Sequence, residues 1–237
     1  MLEIKDLKKA FRNRVVLKNI SMNVKRGEIV GLLGPNGAGK TTTFEIITGF
    51  LKPDGGKILI EGKDITNYPT WKRAREGVSY LPQEISIFKK LTVKENFEIV
   101  LEDFYNREER RKIIDELLKK FELYDLKDKI AENLSGGEKR RLEIARSLAF
   151  SPRFFLLDEP FSGIDPKTVI EIQDIIIKLK TENIGILLTD HNVREALKIT
   201  DRAYLIYEGE ILLEGSPDEI LNNPQSRSVY FGEKFEF

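Results

Sequence analysis

The chain has 237 residues, of which 41% are hydrophobic, and its 39 lysine and arginine residues balance 39 aspartate and glutamate residues. This length predicts one large domain, or one domain with an inserted lobe. The zero net charge argues against a nucleic-acid partner, and the absence of cysteine excludes a disulfide framework and a thiolate metal site.

The first third of the chain combines short β segments with one helix. Apolar patterning predicts strands over residues 2–4, 15–17, 28–33, 57–60 and 78–81. A helix is predicted over residues 41–50, because Gly49 closes its periodic pattern. The turn residues at 61–62, followed by Ile65, indicate that the fourth strand belongs to a hairpin.

The middle of the chain, residues 92–132, differs because it has little β signal. Four apolar residues recur there at helical spacing with charged residues between them: Ile113, Leu117, Leu118 and Phe121. We therefore predict a helical lobe over residues 87–133, inserted between strands. The charged run at residues 106–112 is expected to be a solvated helix face rather than a partner-binding surface.

Strand and helix patterns alternate in the last third. They predict helices over residues 140–149 and 192–198, strands over 154–158 and 184–189, and a hairpin of 203–207 with 211–213 around Gly209. Asp165 can cap a further helix that has Pro166 at its first position, and a short helix begins at residues 216–217. Such alternation implies a mostly parallel sheet with covered faces.

A glycine-rich segment between a predicted strand and a predicted helix matches the pattern G-x-x-x-x-G-K-[ST]. Its glycines let backbone N–H groups converge on phosphate oxygens, and the helix start adds the positive end of its dipole. We expect Lys40 to reach the β- and γ-phosphates and Thr41 to place its hydroxyl on Mg²⁺. The predicted nucleotide-binding residues are Gly34, Pro35, Asn36, Gly37, Ala38, Gly39, Lys40, Thr41 and Thr42.

The apolar strand at residues 154–158 ends in two carboxylates, Asp158 and Glu159. Asp158 lies at the carboxyl end of the strand, where ligands of such sheets bind, and is placed to hold Mg²⁺ directly or through water. Glu159 points differently and can address an attacking water. The alternative is a strand end with two solubilising acids.

Ser135 and Glu138 fit a capping box at the start of a helix. The box does not explain Gly136 and Gly137, because glycine in a helix is destabilising by roughly 0.5–1 kcal/mol. Backbone N–H groups that approach an anion would explain them. Since the cradle at residues 34–41 already wraps the phosphates from one side, we predict that this helix end contacts a nucleotide bound to a second copy.

Together with Leu134, these motifs resemble the ATP-binding-cassette ATPases, whose LSGGE-like signature acts in trans across a head-to-tail dimer. The resemblance covers nearly the whole chain. It implies that Gln83 links Mg²⁺ and water to the helical lobe, that residues 162–165 cross the dimer interface, and that His191 contacts the γ-phosphate. Phe11 stands where an aromatic residue, often tyrosine, stacks on adenine. Without the resemblance, Gln83 fits an ordinary loop, His191 a structural polar position and Phe11 the core.

The resemblance implies an α/β P-loop NTPase core with a mostly parallel sheet, an N-terminal antiparallel β subdomain and an inserted helical subdomain. One nucleotide-binding domain would span residues 1–237, with its core at about 1–86 and 134–216, its helical part at about 87–133 and a tail at 217–237. ATP and Mg²⁺ are the implied cofactors. The implied catalytic residues are Glu159, His191, Gln83 and Lys40, and the implied metal-binding residues are Thr41, Gln83 and Asp158.

Three stretches, at residues 80–88, 189–195 and 229–235, look like those of the ATPase subunits of lipopolysaccharide exporters. The ATPases of branched-chain amino-acid importers are the second candidates, because they share the short length and a similar Tyr-x-Gly tail. The tail aromatics can pack on their own body or on the other protomer, and they are Tyr230, Phe231, Phe235 and Phe237.

The resemblance also implies that two copies form a homodimer beneath two integral-membrane permease subunits. The permeases would dock in a groove near Ile85, Ile87 and Phe88, although Ile87 and Phe88 also fit the core of the lobe. No segment resembles a secretory signal, and runs such as residues 154–157 are far shorter than the roughly 20 residues that span a bilayer. We therefore expect a cytoplasmic protein, peripheral on the inner face of the inner membrane, without direct lipid insertion.

Two other classes of protein compete with a transport ATPase. A non-transport cassette protein that acts on nucleic acid or ribosomes usually carries a long coiled coil or two cassettes. Here only about 50 residues separate Gln83 from Ser135, too few for a long coiled coil at 1.5 Å per residue. A monomeric P-loop kinase would leave residues 135–138 unexplained.

Overall fold

The computed structural model describes residues 1–12 and 14–231. It opens with a long antiparallel hairpin of β1 (Leu2–Phe11) and β2 (Arg14–Val24), paired from Leu2 with Val24 to Phe11 with Arg14. The two predicted segments, residues 2–4 and 15–17, lie within these strands, but the strands are much longer than predicted. The charged residues on the exposed face of both strands interrupt the apolar run without ending the pairing.

The other strands complete a ten-stranded sheet in the order β5-β4-β1-β2-β10-β9-β3-β8-β7-β6. Their bounds are β3 Ile29–Leu33, β4 Gly55–Ile60, β5 Lys63–Asp64, β6 Val78–Leu81, β7 Phe154–Asp158, β8 Gly185–Thr189, β9 Arg202–Tyr207 and β10 Glu210–Gly215. Strands β6, β7, β8, β3 and β9 run parallel, whereas β4, β1 and β2 are antiparallel. The predicted fold class is confirmed, as are the two hairpins β4–β5 and β9–β10.

Helices cover both faces of the parallel strands, which is why β3, β7 and β8 are buried along their whole length. The helices are α1 Lys40–Thr48, α2 Thr70–Arg75, α3 Val93–Leu101, α4 Arg107–Lys120, α5 Gly136–Ser147, α6 Pro166–Thr181, α7 Val193–Leu197, α8 Pro217–Asn222 and α9 Pro224–Ser226. Short 3₁₀ turns lie at Tyr124–Leu126 and Ala131–Asn133, and a π-helical turn at Arg227–Phe231. Helix α2 was not predicted, and α5 begins directly after Ser135, at the predicted capping box, rather than at residue 140.

The segment between β6 and α5 is helical, as its 3.6-residue pattern predicted. Thr92 caps α3 and Asn106 caps α4, each through a capping box. In the charged run at the start of α4, Lys112 pairs with Glu108 across one helical turn, and both side chains are more than 70% exposed. This run is therefore a solvated helix face, as predicted.

A buried arginine fixes the helix that follows the glycine-rich segment. Arg73 donates from its guanidinium to the carbonyls of Ile46 and Ile47 at the end of α1, at 2.5 and 2.8 Å, and to that of Tyr68 at 2.9 Å. Burial lowers the pKa of Arg73 to about 10. This contact satisfies carbonyls that a helix end leaves unpaired, and so holds α1 against the sheet.

No helix among the described residues is long and apolar enough to cross a membrane.

Candidate functional site

The glycine-rich segment wraps the start of α1, and its glycines are required by the packing of the chain itself. At Gly34, where φ is +155°, a Cβ atom would stand 2.1 Å from the carbonyl oxygen of Ile206. At Gly39, where φ is +113°, a Cβ atom would stand 2.4 Å from the side chain of Leu17. Strands β9 and β2 thus hold the segment in its curved path, and only glycine fits at these two positions.

Lys40 is the cation of this segment and is buried. Its ammonium donates to the carbonyls of Gly34 and Pro35 at 2.7 and 3.1 Å. Burial lowers the pKa of Lys40, while the nearby carboxylates of Glu159 and Asp158 oppose that shift. The lysine therefore lies folded over the loop, with its charge where phosphate oxygens would bind.

A cavity of about 420 Å³ opens above this loop. It is lined by Arg14, Val16, Asn36, Gly37, Gly39, Lys40, Thr41, Thr42, Gln83, Glu159 and His191. The fold thus brings three widely separated predicted residues to the glycine-rich loop. Among the described residues that line it, none belongs to the segment 134–138.

Glu159 is held between two other site residues. The amide nitrogen of Gln83 donates to Oε2 of Glu159 at 2.7 Å, and Nε2 of His191 lies 2.7 Å from its Oε1. The Glu159 backbone has φ of +51°, a strained value for a residue with a side chain, and its N–H donates to the carbonyl of Thr189. Burial raises the pKa of Glu159, while His191 and Lys40 favour its charged form.

Asp158 is buried at the carboxyl end of β7. Its Oδ2 accepts a hydrogen bond from the hydroxyl of Tyr80 at 3.1 Å, and its Oδ1 has no partner among the described residues. Burial raises the pKa of Asp158. The free oxygen of this carboxylate and the hydroxyl of Thr41, which lines the cavity together with Glu159, are oxygen donors of the kind that Mg²⁺ prefers.

The described residues contain no group of three or more His, Cys, Asp or Glu side chains that could hold a metal ion alone. Mg²⁺ in nucleotide sites is bound by one or two protein ligands together with substrate phosphates and water. The donor set at Asp158 and Thr41 therefore fits a metal that arrives with a nucleotide.

The second glycine-rich helix start is capped by its own chain. The Ser135 side chain accepts from the Glu138 N–H at 3.2 Å, and the Glu138 carboxylate accepts from the Ser135 N–H at 2.7 Å. A Cβ atom on Gly137 would stand 3.0 Å from Oγ1 of Thr168, so close packing on α6 explains that glycine. A Cβ atom on Gly136 would meet nothing within 4 Å. Of the two glycines, only Gly136 has no close neighbour among residues 1–12 and 14–231 that would explain it.

Two further sequence interpretations are decided by exposure. Phe11 is 45% exposed at the end of β1, with Nζ of Lys9 5.5 Å from its ring centre, so it does not belong to the core. Ile87 is buried at 6% exposure inside the core, so the prediction that it lines a docking groove was wrong. Ile85 and Phe88, on either side of it, are 54% and 42% exposed. Exposed and buried apolar side chains therefore alternate where the chain enters the helical lobe.

Sequence reasoning missed a buried ionic cluster that joins these parts. Arg140 in α5 donates to the backbone carbonyls of Glu159 and Pro160 and pairs with Glu143 at 3.1 Å. Glu143 also accepts from the backbone N–H of Ser86, just after Gln83. In the sequence, Arg140 and Glu143 have the spacing of charged residues on a solvated helix face. Only their contacts in the structure distinguish a buried ion pair from an exposed one.

The tail packs on its own body where the structure describes it. Tyr230 and Phe231 lie against the core, and the backbone N–H of Gly34 bonds to the Tyr230 hydroxyl, whose pKa burial raises to about 12. Phe235 and Phe237 lie outside the described residues.

The family model that matches the chain is that of the ABC transporters, over residues 17–162. The chain is 50% identical to the lipopolysaccharide export system ATP-binding protein LptB of Acidithiobacillus ferridurans, over 100% of this chain and 98% of that protein. It is 48% identical to the protein of the same name from Haemophilus influenzae, over 100% of this chain and 99% of that protein.

Solved structures match over similar lengths. A nucleotide-free ATP-binding cassette from an ABC transporter superposes with a TM-score of 0.88 at 30% identity, covering 98% of this chain and 99% of that chain. A dimeric ATP-binding cassette in a post-hydrolysis state, bound to ADP and phosphate, superposes with a TM-score of 0.80 at 29% identity, covering 92% and 99%.

Proposed function

The chain belongs to the ABC transporter family, and on that basis we propose that it is the ATP-hydrolysing subunit of a lipopolysaccharide exporter. This family hydrolyses ATP with Mg²⁺. The observation that carries the assignment to this site is Glu159, held between Gln83 and His191 across the cavity from Lys40. The export cargo is supported by relatives of that name that match over the full length of the chain.

The cradle at residues 34–42 binds the triphosphate in this proposal. Lys40 exchanges its two backbone carbonyls for the β- and γ-phosphates, since charge-assisted bonds to phosphate are stronger than bonds to neutral carbonyls. Phe11 stacks on the adenine. Thr41, Gln83 and Asp158 would hold Mg²⁺, which would supply positive charge next to the phosphates. These assignments complete the half-site that one copy of the chain supplies.

Glu159 acts as the base that orients the attacking water. Its Oε2 accepts a hydrogen bond from Gln83, and its Oε1 lies 2.7 Å from Nε2 of His191. Each carboxylate oxygen has two lone pairs, so both oxygens keep an acceptor site for the proton of the water. Because Gln83 begins the segment that leads into the helical lobe, its bond to Glu159 connects the base to the lobe. His191 then holds the closed geometry.

The second half-site comes from another copy of the chain. Ser135, Gly136, Gly137 and Glu138 are capped and partly exposed, and Gly136 has no packing role. We infer that they close on the γ-phosphate bound to the partner protomer in a head-to-tail homodimer. Closure is driven by ligand contacts that exist only in the dimer.

A complementation experiment tests this arrangement. Lys40→Ala destroys the cradle of a protomer, and Ser135→Arg blocks its signature helix, so each variant alone has no complete site. A mixture of the two forms heterodimers in which one site joins the intact cradle of one protomer to the intact signature of the other. We expect the mixture to recover ATPase activity. A mixture as inactive as its components means that each site lies within one chain.

The permease partners dock beside the helical lobe in this proposal. The exposed residues Ile85 and Phe88 stand near the start of that lobe, and the guanidinium of Arg146 lies 5.1 Å from the Phe88 ring centre. Further exposed aromatic residues are Phe50, Trp71 and Phe104. Ile85 and Phe88 form the apolar part of the docking surface in this proposal, since exposed apolar patches mark interaction sites. The protein would thus sit on the inner face of the inner membrane, held by its permeases, with residues 87–133 as the docking subdomain.

Co-purification from the native membrane tests both the surface and the cargo. Permeases of a lipopolysaccharide exporter should accompany the wild-type protein, and Phe88→Ala should release them. Ile170→Ala removes another exposed apolar residue, in α6, and serves as the control. Recovery of amino-acid importer permeases instead would replace the export assignment, and salt-sensitive binding to DNA or RNA would favour a non-transport role.

A further inference from the structure

Tyr80 reaches the proposed magnesium carboxylate from the neighbouring strand. It lies in β6, in parallel register with Leu156 of β7. Its hydroxyl donates to Oδ2 of Asp158 at 3.1 Å. The sequence motifs predict a role for Gln83 but none for Tyr80. The pairing of β6 with β7 brings its side chain to the end of the carboxylate-bearing strand.

The ring of Tyr80 is held on two sides. The Phe44 ring centre lies 6.3 Å away with an interplanar angle of 59°, and the Phe50 ring centre 6.1 Å away at 58°. Tilted aromatic contacts of this kind restrict a ring beyond simple burial. A tyrosine hydroxyl carries its proton at neutral pH, so it can donate to the Asp158 carboxylate.

The two oxygens of Asp158 therefore differ. Oδ2 is engaged by Tyr80, whereas Oδ1 is buried without a partner among the described residues. A carboxylate torsion is soft when nothing holds it, and a metal-ligating carboxylate is commonly oriented by a hydrogen bond to its second oxygen. Such a bond leaves one defined oxygen for the metal.

We infer that Tyr80 is a positioning residue, whose hydroxyl fixes the Asp158 carboxylate so that Oδ1 faces the Mg²⁺ that accompanies the nucleotide. The inference rests on the proposed role of Asp158. It assigns to the hydroxyl a function that the aromatic ring alone does not supply. If Tyr80 only packs the core, its ring suffices and the hydroxyl is dispensable for metal binding.

The test removes only the hydroxyl. Tyr80→Phe keeps both ring contacts, and Mn²⁺ binding to the purified protein with ADP is measured by electron paramagnetic resonance. We expect the dissociation constant for Mn²⁺ to rise roughly tenfold, in the range seen for outer-shell partners of metal ligands. The affinity for a fluorescent ADP analogue in the presence of EDTA should stay at its wild-type value.

The matched control is Tyr204→Phe. Tyr204 is also a buried tyrosine with a bonded hydroxyl, which accepts from the backbone N–H of Asn23 at 3.3 Å in β2. This variant should leave Mn²⁺ binding unchanged. Wild-type Mn²⁺ affinity in Tyr80→Phe, or an equal loss of nucleotide with and without metal, overturns the inference.

Asp158→Asn separates this inference from the function on which it rests. The Asp158→Asn variant should lose Mn²⁺ affinity, and adding Tyr80→Phe to it should cause no further loss. If Asp158→Asn binds Mn²⁺ as the wild type does, the metal role of Asp158 is wrong. If only Tyr80→Phe is without effect, the proposed function stands and the positioning role falls.

Discussion

Two helix starts in this molecule are rich in glycine, and they are finished in different ways. Helix α1 begins after Gly39 without a side-chain cap and without an acidic residue in its first turn. Helix α5 begins after Ser135 with a full capping box, in which Glu138 occupies part of its free N–H groups. One start is open toward a cavity inside the chain, and the other is closed by its own side chains at the surface.

The difference fits the proposed composite site, in which one copy would supply the start of α1 and the other copy the start of α5. An uncapped helix start leaves backbone N–H groups unpaired, and these groups favour a bound anion. The fold places Lys40 and a cavity at this helix start. The capped start of α5 is stable alone, because the box satisfies two of those donors reciprocally. Its Gly136 leaves the backbone exposed at the surface, where the proposed dimer would place the partner's nucleotide.

The largest expected effect comes from a substitution that should trap ATP between the α1 start of one protomer and the α5 start of the other. Glu159→Gln removes the proposed base while keeping a side chain of the same size. We expect ATP turnover to fall roughly 10²–10⁴-fold, and light scattering should detect a dimer that persists with ATP. Glu122→Gln is the control, because Glu122 is exposed and also has positive φ, at +56°. Wild-type turnover in Glu159→Gln would disprove the base assignment.

The next effect tests whether the glycines of the first start are structural. Gly34→Ala forces a Cβ atom against the carbonyl of Ile206, and we expect a loss of roughly 3–5 kcal/mol in the free energy of unfolding. Gly62→Ala, with φ of +82° and nothing within 4 Å, isolates the backbone strain without the clash. Chemical denaturation measures both. Equal losses would mean that close packing is not why residue 34 is glycine.

A smaller effect of opposite sign is expected at the second start. Gly136→Ala should raise the free energy of unfolding by roughly 0.5–1 kcal/mol, because alanine favours the helix and meets no neighbour. ATP hydrolysis should fall, since a methyl group would stand where the backbone approaches the partner's nucleotide. Gly137→Ala should gain no stability, because Thr168 stands in the way. A more stable Gly136→Ala with full activity would remove that residue from the site.

The smallest effect is the pH dependence of stability. It should have opposite signs for Glu138, at the start of α5, and for Asp158, near the start of α1. Bonds from Ser135 lower the pKa of Glu138, so its contribution to stability is present above the ordinary pKa of 4.5 and is lost as pH falls through the lowered value. Burial raises the pKa of Asp158, so its ionisation costs stability as pH rises from 3.8 through the raised value.

Thermal unfolding without nucleotide measures both carboxylates. At pH 7, Glu138→Gln should lose about 0.3–1 kcal/mol, whereas Asp158→Asn should be more stable than the wild type. Both differences should shrink toward pH 3. If Asp158→Asn is less stable than the wild type at pH 7, the contacts of the carboxylate outweigh its burial.

Sequence motifs predicted the site better than they predicted its surroundings. The cradle, Asp165 as a helix cap, and the capping box at Ser135 depend on neighbours within about one turn, so each could be located from the chain alone. Ile87 was predicted to line the docking groove but lies in the core. An apolar residue that lines a groove and one that packs beneath it have the same sequence pattern. Arg140 and Glu143 were missed because a buried ion pair differs from a solvated one only in what covers it.

The sequence by itself determined the chemistry that could occur: a phosphate-binding loop, two carboxylates at a strand end, and a helix start suited to an anion. These are local properties, decided by residue type and spacing. Only the tertiary structure decided which groups meet. Parallel pairing of β6, β7 and β8 brings Gln83, Glu159 and His191 within hydrogen-bond distance and carries Tyr80 to Asp158. Such contacts join residues far apart in the chain, and they depend on strand order and register rather than on any local pattern.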